Sequence, residues 1–554
     1  MKRHRPDSSF LPSRHPYLWI ILTGFLLYAK TLSYGFTYLD DNILVLNNFS
    51  FISKLSNICR AFGEKVFFDS FLPYYRPGLV ISFILDAQFG GVEPFFYHFT
   101  NILIHVTAAS LVFRALTKLN YEKELSFLFA IIFTVHPALT QAVAWIPGRN
   151  DSLLAVFVLA AFIFFLQFIE KKGVGNYILH LTFFAFAVFV KESAVMLAAL
   201  SFIYIFLVRK ERTFSFKSKA LLIGYAFVIT AWHILRKRVI SGSVEMNVFD
   251  MAGYFVTYFP AVIQFIGKAV FPANLSVFPI MEDTSYIYGF IAVVLVILGI
   301  SISKGSRNAL ISFAALWIIL FLAPSFIRPH ASIVNDVLQH RFYTSMFGFM
   351  IIFMEMDFIK EKYKEKSFLS AAGIVIAIFF MIAFRHSDEF KDRLTFWNNA
   401  VKTSPRSPFA RLALGNMYYM DGDIDRAEAE FGKALDLDPR TVRGHYYLGL
   451  IYMKKGLLKK AEAEFKKEIV MYPYCDQGYL ALGVTYHRQG NFKDAEALWE
   501  RTLSINPGNA DAMKNLAIYY SQAKDFKKSV SYVVRLREVG VEPPAEFLKT
   551  IGTK

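Results

Sequence analysis

Cysteine is nearly absent: Cys59 and Cys475 are the only two thiols in 554 residues. Two thiols cannot build a disulfide framework or a cysteine-rich zinc site, so neither is expected to hold this fold together. A small-residue cleavage site is also missing after the basic MKRHR start and its apolar run, so that stretch reads as a retained first membrane span. Long basic runs are scarce although the formal net charge is +16, because the basic residues sit mostly in short loops between apolar stretches. That placement is the positive-inside bias of a membrane protein, and it argues against a nucleic-acid partner.

What is abundant is apolar surface. Apolar residues make up 55% of the chain and include 59 Phe, too many for a soluble multi-domain protein. Before position 386 several stretches exceed fifteen residues with few or no charges; beyond it the pattern turns charged and periodic. A span needs about 20 apolar residues to cross the hydrocarbon core. Eleven are expected, near 17–36, 96–117, 124–144, 152–169, 177–191, 193–208, 220–238, 286–302, 308–327, 341–357 and 367–385. Two further stretches, 78–90 and 254–271, are bounded by Pro or Gly and are assigned to the interface. With eleven spans the N-terminus and the segments Lys118–Glu124, Lys171–Lys172, Arg209–Lys219, Lys304–Arg307 and Lys360–Lys366 share one side, the cytoplasm. The segments 37–77 and 328–340 then lie outside, together with everything after the last span.

From 408 onward the sequence repeats every 34 residues. Leu414, Gly415, Tyr418, Ala427, Phe431 and Pro439 recur as Leu448, Gly449, Tyr452, Ala461, Phe465 and Pro473, then as Leu482, Gly483, Tyr486, Ala495, Trp499 and Pro507. A weaker fourth copy has Leu516, Ala517, Tyr520 and Ser529 but no Pro. This resembles the tetratricopeptide (TPR) signature, in which small residues let two helices touch and Pro ends the second. The expected repeats are 408–441, 442–475, 476–509 and 510–543, with a tail at 544–554. Upstream, Trp397, Ala400 and Pro405 fit half of another copy, so 386–407 reads as a helical connector after a membrane domain at 1–385. A TPR array offers a concave face to a peptide or partner protein and performs no chemistry.

Residues able to do chemistry gather at the outer ends of the spans. Asp40 and Asp41 follow span one, suited to general-base work where lipid-linked substrates present their head groups. Tyr75 and Arg76 precede the interfacial stretch; His98, Asn101 and His105 are helically spaced; His136 ends span three, followed by Arg149 and Asp151. Lys191 and Glu192 lie between spans five and six, and Arg341 and Tyr343 open span ten. Ionisable groups near membrane depth are costly, and are paired or functional. Each also has a bland reading: a solvated loop with Asx turns for Asp40–Asp41, a local ion pair for Arg149–Asp151, a topological turn for Lys191–Glu192. Interhelical hydrogen bonds would account for His98 and Asn101, and snorkelling for Arg341. No Cys or acidic residue completes a site with the histidines, so no metal is expected.

Taken in order, Asp-Asp after span one, YYRP, HFTNILIH, TVHPALTQAVAWIPGRND, FVKES, RFYTSMFG and the repeats resemble the transmembrane-and-TPR-repeat-containing O-mannosyltransferases, and more broadly the multi-spanning glycosyltransferases of the GT-C fold. The resemblance implies an all-α bundle followed by an α-solenoid, a polyprenyl- or dolichyl-phosphate sugar donor, and inverting transfer outside the cytoplasm to Ser or Thr of a protein. It places the catalytic acid at Asp40 with Asp41 beside it, and the donor phosphate at Arg341. Tyr343, Arg76, Arg149 and Lys191 join the donor group, and Tyr75, His98, Asn101, His136, Asp151 and Glu192 support it. One departure stands out: relatives carry Glu before the late Arg where this chain has His340, so the sugar is expected to be a hexose such as mannose without being fixed as mannose. A non-catalytic scaffold displaying the repeats is the alternative; a transporter would instead place polar, broken helices near the midplane. The short outer loops point to a prokaryotic cell membrane.

Overall fold

The computed structural model describes residues 15–67, 74–171, 173–240, 248–327 and 336–550. The basic N-terminal residues and most of the 328–340 loop lie outside this set. The described residues are helical, without a β-strand; an isolated bridge joins Ile280 and Asp336. Two compact units divide at Pro405, so all but the last two residues of the expected connector 386–407 fall in the first unit. Its helix Arg393–Thr403 is capped by Asp392, which accepts from Thr395 N at 2.8 Å, and it docks through Ser404 Oγ, which donates to Phe278 O at 2.7 Å.

In the first unit six helices are long and apolar enough to cross a membrane: Pro94–Lys118, Ile146–Glu170, Phe216–Val239, Phe249–Val270, Asn308–Phe326 and Lys366–Phe390. A seventh is the pair Lys123–Val135 and Pro137–Ala144, bent by 54°. The bend follows from Pro137, which has no N–H to donate and forces extended backbone on His136 (φ −69°, ψ 120°). The stretches Pro77–Gly90, Val174–Val190, Glu192–Val208 and Ile287–Ser301 are shorter apolar helices. Eleven full-length spans are therefore not present among the described residues. The stretch 254–271, expected at the interface, lies within a helical segment of spanning length. The expected span 341–357 is a nine-residue helix, Met346–Met354. It packs so closely on Asn308–Leu322 that a Cβ on Gly348 would lie 2.6 Å from Ala314 O.

Polar side chains gather at the two ends of this bundle. At one end Glu355 is fully buried and accepts from Tyr121 Oη at 2.5 Å, Arg307 Nε at 2.9 Å and Lys360 Nζ at 2.9 Å. Arg307 also donates to Leu119 O, and Lys217 donates to Ile169 O, so the described basic loops share this end. The helix Pro94–Lys118 has 25 residues and, at about 1.5 Å per residue, separates this end from the other by about 37 Å. The loops around Asp40, Arg76, Trp145, Lys191 and Arg341 meet at the other end.

In the second unit four helix pairs follow one another: Pro408–Met420 with Ile424–Leu437, Gly444–Lys454 with Leu458–Met471, Asp476–Arg488 with Phe492–Ile505, and Ala510–Gln522 with Phe526–Glu538. The 34-residue period has a steric origin. A Cβ at Gly415, Gly449 or Gly483 would sit 2.7, 2.5 or 2.6 Å from the ring of Phe431, Phe465 or Trp499 in the facing helix. Where the fourth copy has Ala517, the register position of the ring holds the smaller Val533, and both are buried in one cluster. In the full-length protein, Gly449→Leu is expected to abolish amide hydrogen-exchange protection across 444–471, while Ala517→Gly changes protection little. Equal protection in wild type and Gly449→Leu would contradict this packing rule.

Candidate functional site

The first loop of the outer end is built around Asp41. Its buried carboxylate accepts from Thr37 N at 2.7 Å, Thr37 Oγ1 at 3.0 Å, Tyr38 N at 2.7 Å and Asn42 N at 3.0 Å. Burial raises this carboxyl, and the four donors counter it. The loop they fix is strained: Tyr38 has φ +62° and Asp40 φ +127°, a region that costs a residue with a Cβ about 1–3 kcal/mol. The Asp40 carbonyl accepts from Ile43 N and Leu44 N, starting the next turn, and the Asp40 side chain is left to line a cleft.

The cleft encloses about 170 Å³. Arg76 forms one wall and grips Glu192 in two bonds, Nε to Oε2 at 3.0 Å and Nη2 to Oε1 at 2.6 Å. Asn150 completes that wall, its amide lying between Val190 O (3.1 Å) and Arg76 Nη1 (2.9 Å). Lys191 Nζ lies 2.8 Å from both oxygens of Asp151, and His340 Nε2 is 3.7 Å from the same carboxylate. The His340 ring packs on Trp145 with centroids 5.2 Å apart. Arg341 pairs with Asp336 at 2.7 Å. Phe321, Pro324 and Ile327 give the cleft one apolar side.

Charge inside this partly dry space shifts the acids in opposite directions. Burial, followed by the negative charges of Asp41 and Asp336, pushes Asp40 up to about 8 against the pull of Arg76 and Arg341. Burial also pushes Glu192 up, but the Arg76 guanidinium outweighs it, helped by Lys191, and holds that carboxyl at about 2. Burial lowers Lys191, with Asp151 opposing. His340 is held well below its ordinary value by burial and then by Arg341, Lys191 and Arg76, so it is a neutral ring near pH 7. The cleft thus presents one acid with a raised proton affinity opposite three cations, each braced by its own carboxylate.

Of the residues singled out in the sequence, Asp40, Arg76, Lys191, Glu192 and Arg341 line this cleft, and Asp151 braces it from behind. The others do not reach it. Asp41 faces its own loop. Tyr343 is fully buried and shares a 2.7 Å hydrogen bond with His105 Nδ1. Tyr75 donates to Phe62 O, His98 packs edge-on to Tyr34, and His136 Nε2 meets Ala269 O at 3.0 Å. Arg149, expected among the donor-binding cations, is wholly buried instead. It donates to Asp86 at 2.5 Å, Asn101 Oδ1 at 2.7 Å and Tyr97 O at 2.6 Å, while Asn101 donates on to Val143 O and Trp145 O. Its partner is therefore Asp86 and not Asp151. Asp86 was missed although a lone acid inside ISFILDAQFG is the signal that an ionisable group at membrane depth gives. Asn150 and Asp336 were also missed as site residues, and Asp336 carries no comparable pattern. Among the described residues no three His, Cys, Asp or Glu side chains converge as a metal-binding group.

Residues 81–235 match the family described as dolichyl-phosphate-mannose-protein mannosyltransferase, and 415–456 and 477–509 match TPR families. Asp40 and Arg341 fall outside the matched segment. Protein O-mannosyl-transferase Tmtc1 of Drosophila melanogaster is 31% identical over 175 residues, which cover 31% of this chain and 20% of that protein. Protein O-mannosyl-transferase TMTC3 of Mus musculus is 34% identical over 136 residues, 24% of this chain and 14% of its own. The chain thus covers about a fifth or less of the length of these relatives. Among solved structures, MamA is 22% identical over 28% of this chain and 91% of its own, with a TM-score of 0.25. YrrB, a TPR protein with an unusual peptide-binding site, is 18% identical over 34% and 92%, with a TM-score of 0.24.

Because Arg149 is enclosed by protein, Arg149→Met should act on stability. Leaving Asp86 buried and unpaired is expected to cost about 3–5 kcal/mol. The double variant Arg149→Met/Asp86→Leu should recover most of that loss in thermal unfolding of the detergent-solubilised protein. A single variant as stable as wild type would contradict the pairing.

Proposed function

We propose that this chain, a TPR-bearing membrane protein similar to the protein O-mannosyl-transferases, transfers a hexose from a polyprenyl- or dolichyl-phosphate carrier to a Ser or Thr hydroxyl of a protein. The reading rests on one observation above all: Asp40 and Arg341 line the same cleft, at the end of the bundle away from the basic loops. The positive-inside bias puts that end outside the cytoplasm, in our reading of a prokaryotic cell membrane.

The acceptor hydroxyl oxygen attacks the anomeric carbon while its proton passes to Asp40. The bond from that carbon to the phosphate oxygen breaks, the electron pair leaves with the lipid phosphate, and attack from the opposite face inverts the centre. Negative charge grows on the departing phosphate, where Arg341, Arg76 and Lys191 are already oriented by Asp336, Glu192 and Asp151. Orientation by a carboxylate does not exhaust them, since a guanidinium has five N–H donors and the Lys191 ammonium has three, two of which face Asp151. Phe321, Pro324 and Ile327 offer the lipid a way out of the cleft. Asp41 has no free acceptor for a proton and serves only to hold Asp40. The neutral ring of His340 against Trp145 replaces the acid of the resembled pattern, so the hexose is not fixed as mannose. The TPR unit, which in this reading stands on the same side, recruits the acceptor or a partner subunit.

Asp40→Asn should lower transfer of lipid-linked hexose by about 10²-fold or more without loss of folding, and Arg341→Met by about 10²–10³-fold. Asp41→Ala should lower both activity and thermal midpoint, because it releases four donors and the strained loop. Full activity in Asp40→Asn would contradict the assignment. The pH dependence has a definite sign: the base works only when ionised and its proton affinity is raised. The rate should therefore climb as Asp40 loses its proton, roughly fivefold between pH 7 and 8, and level off above about 9. A rate already flat from pH 5 upward would show an acid of ordinary strength.

A further inference from the structure

The wall of the cleft has a second side. Residues 336–341 run as extended chain and a short turn, tied to the neighbouring loop by Val337 N donating to Pro279 O at 2.7 Å. Leu338, His340 and Arg341 line the cleft. Val337 and Gln339 turn the other way, onto a small gap shared with Gln264 and Lys268. The same Gln264 and Lys268 line a larger pocket of about 270 Å³, which the helix Ala261–Val270, the start of Ile287–Ser301 and Thr403 enclose.

Its chemistry differs from that of the cleft. Lys268 gives two ammonium protons to Ala273 O and Asn274 O, and no carboxylate lies within ion-pair distance of it among the described residues. Asp283 lines the same pocket, so the lining balances one cation with one acid and favours neither an anion nor a cation. Side-chain hydroxyls come from Ser276, Ser285 and Thr403, and rings from Phe271 and Tyr288, whose centroids are 6.5 Å apart. One buried amide of the lining is left unsatisfied by the protein, at Gln264 Oε1; Gln339, whose oxygen and nitrogen also lack partners, borders only the small gap behind it. Each of those residues is only 3% exposed. Leaving such a group without a partner costs about 1–3 kcal/mol, so Gln264 marks a place where a ligand brings a hydrogen bond.

We propose that this pocket is a second saccharide site, which takes one neutral hexose unit outside the cleft. A pyranose fits the lining: its hydroxyls both donate and accept, which suits the Gln264 amide oxygen, the Lys268 ammonium and the Ser and Thr hydroxyls, and its C–H face packs on aromatic rings. The volume falls just below the usual range of ligand pockets, which starts near about 300 Å³, and suits one ring better than an oligosaccharide. Occupancy depends on these residues and not on the donor chemistry assigned to the cleft. Two sources could supply the sugar: a free monosaccharide, or a hexose already carried by an acceptor polypeptide.

Saturation-transfer NMR on the full-length protein in nanodiscs tests this, with methyl α-mannopyranoside, a hexosylated Ser/Thr peptide and the same peptide bare. The expected result is saturation of sugar protons in wild type and in Asp40→Asn, with Kd raised at least tenfold by Tyr288→Ala and by Gln264→Leu. Tyr288 is 40% exposed, so its truncation should leave the fold intact if Gln264→Leu does not. Tighter binding of the hexosylated peptide than of the glycoside would assign the site to the acceptor's sugar; equal binding would assign it to the monosaccharide. Absence of saturation in wild type, sensitivity to Asp40→Asn with none to Tyr288→Ala, or equal binding of the bare peptide would each overturn the proposal.

Discussion

Four donors converge on the Asp41 carboxylate, and the turn they define forces the preceding residue to φ +127°. A side chain in that backbone region does not settle there by preference; the surrounding bonds over-determine it. The consequence is that one of two adjacent, chemically identical acids is consumed by structure while the other is aimed at a cleft. Everything assigned to Asp40 presumes that this loop is rigid. Its raised proton affinity has the same origin, since the bonds that hold the loop also keep Asp40 away from bulk water and near Asp41.

The same economy governs the rest of the bundle. A charge taken out of water is tolerated only where partners surround it. At the cleft end those partners are Glu192 for Arg76, Asp151 for Lys191 and Asp336 for Arg341; beneath them Asp86 pairs with Arg149. About one helix length away, Glu355 collects Tyr121, Arg307 and Lys360. The two ends do different work: at the basic end several donors converge on one acid, and at the other the ion pairs surround a polar cleft. A cation braced by a carboxylate can turn its remaining donors to a phosphate without having to be ordered first, the kind of preorganisation a leaving group needs.

The sequence was most readable where local sterics repeat. Gly415, Gly449 and Gly483 each face an aromatic ring that no larger residue could accept, and such a constraint leaves a strict period. The gathering of polar residues at one end was readable for a different reason, the cost of placing ionisable groups near the bilayer. What adjacency and spacing could not convey was direction. Nothing in Asp40–Asp41 says which carboxylate turns inward, and nothing in Arg149 says that its partner is Asp86, 63 residues earlier. Tyr343, two residues from Arg341, turns into the core to meet His105. The span count suffered similarly: hydropathy registers apolar composition, so the buried nine-residue helix Met346–Met354 scores like a span.

The central claim concerns where a lipid-linked sugar phosphate sits. Cryo-electron microscopy of the full-length protein with a non-transferable lipid-phosphate hexose analogue addresses it directly. The account predicts phosphate density against Arg341 and Arg76, with the sugar between that phosphate and Asp40. Density for the phosphate elsewhere, for example along the apolar groove lined by Phe129, Phe349, Phe353 and Phe379, with the cleft empty, would contradict it.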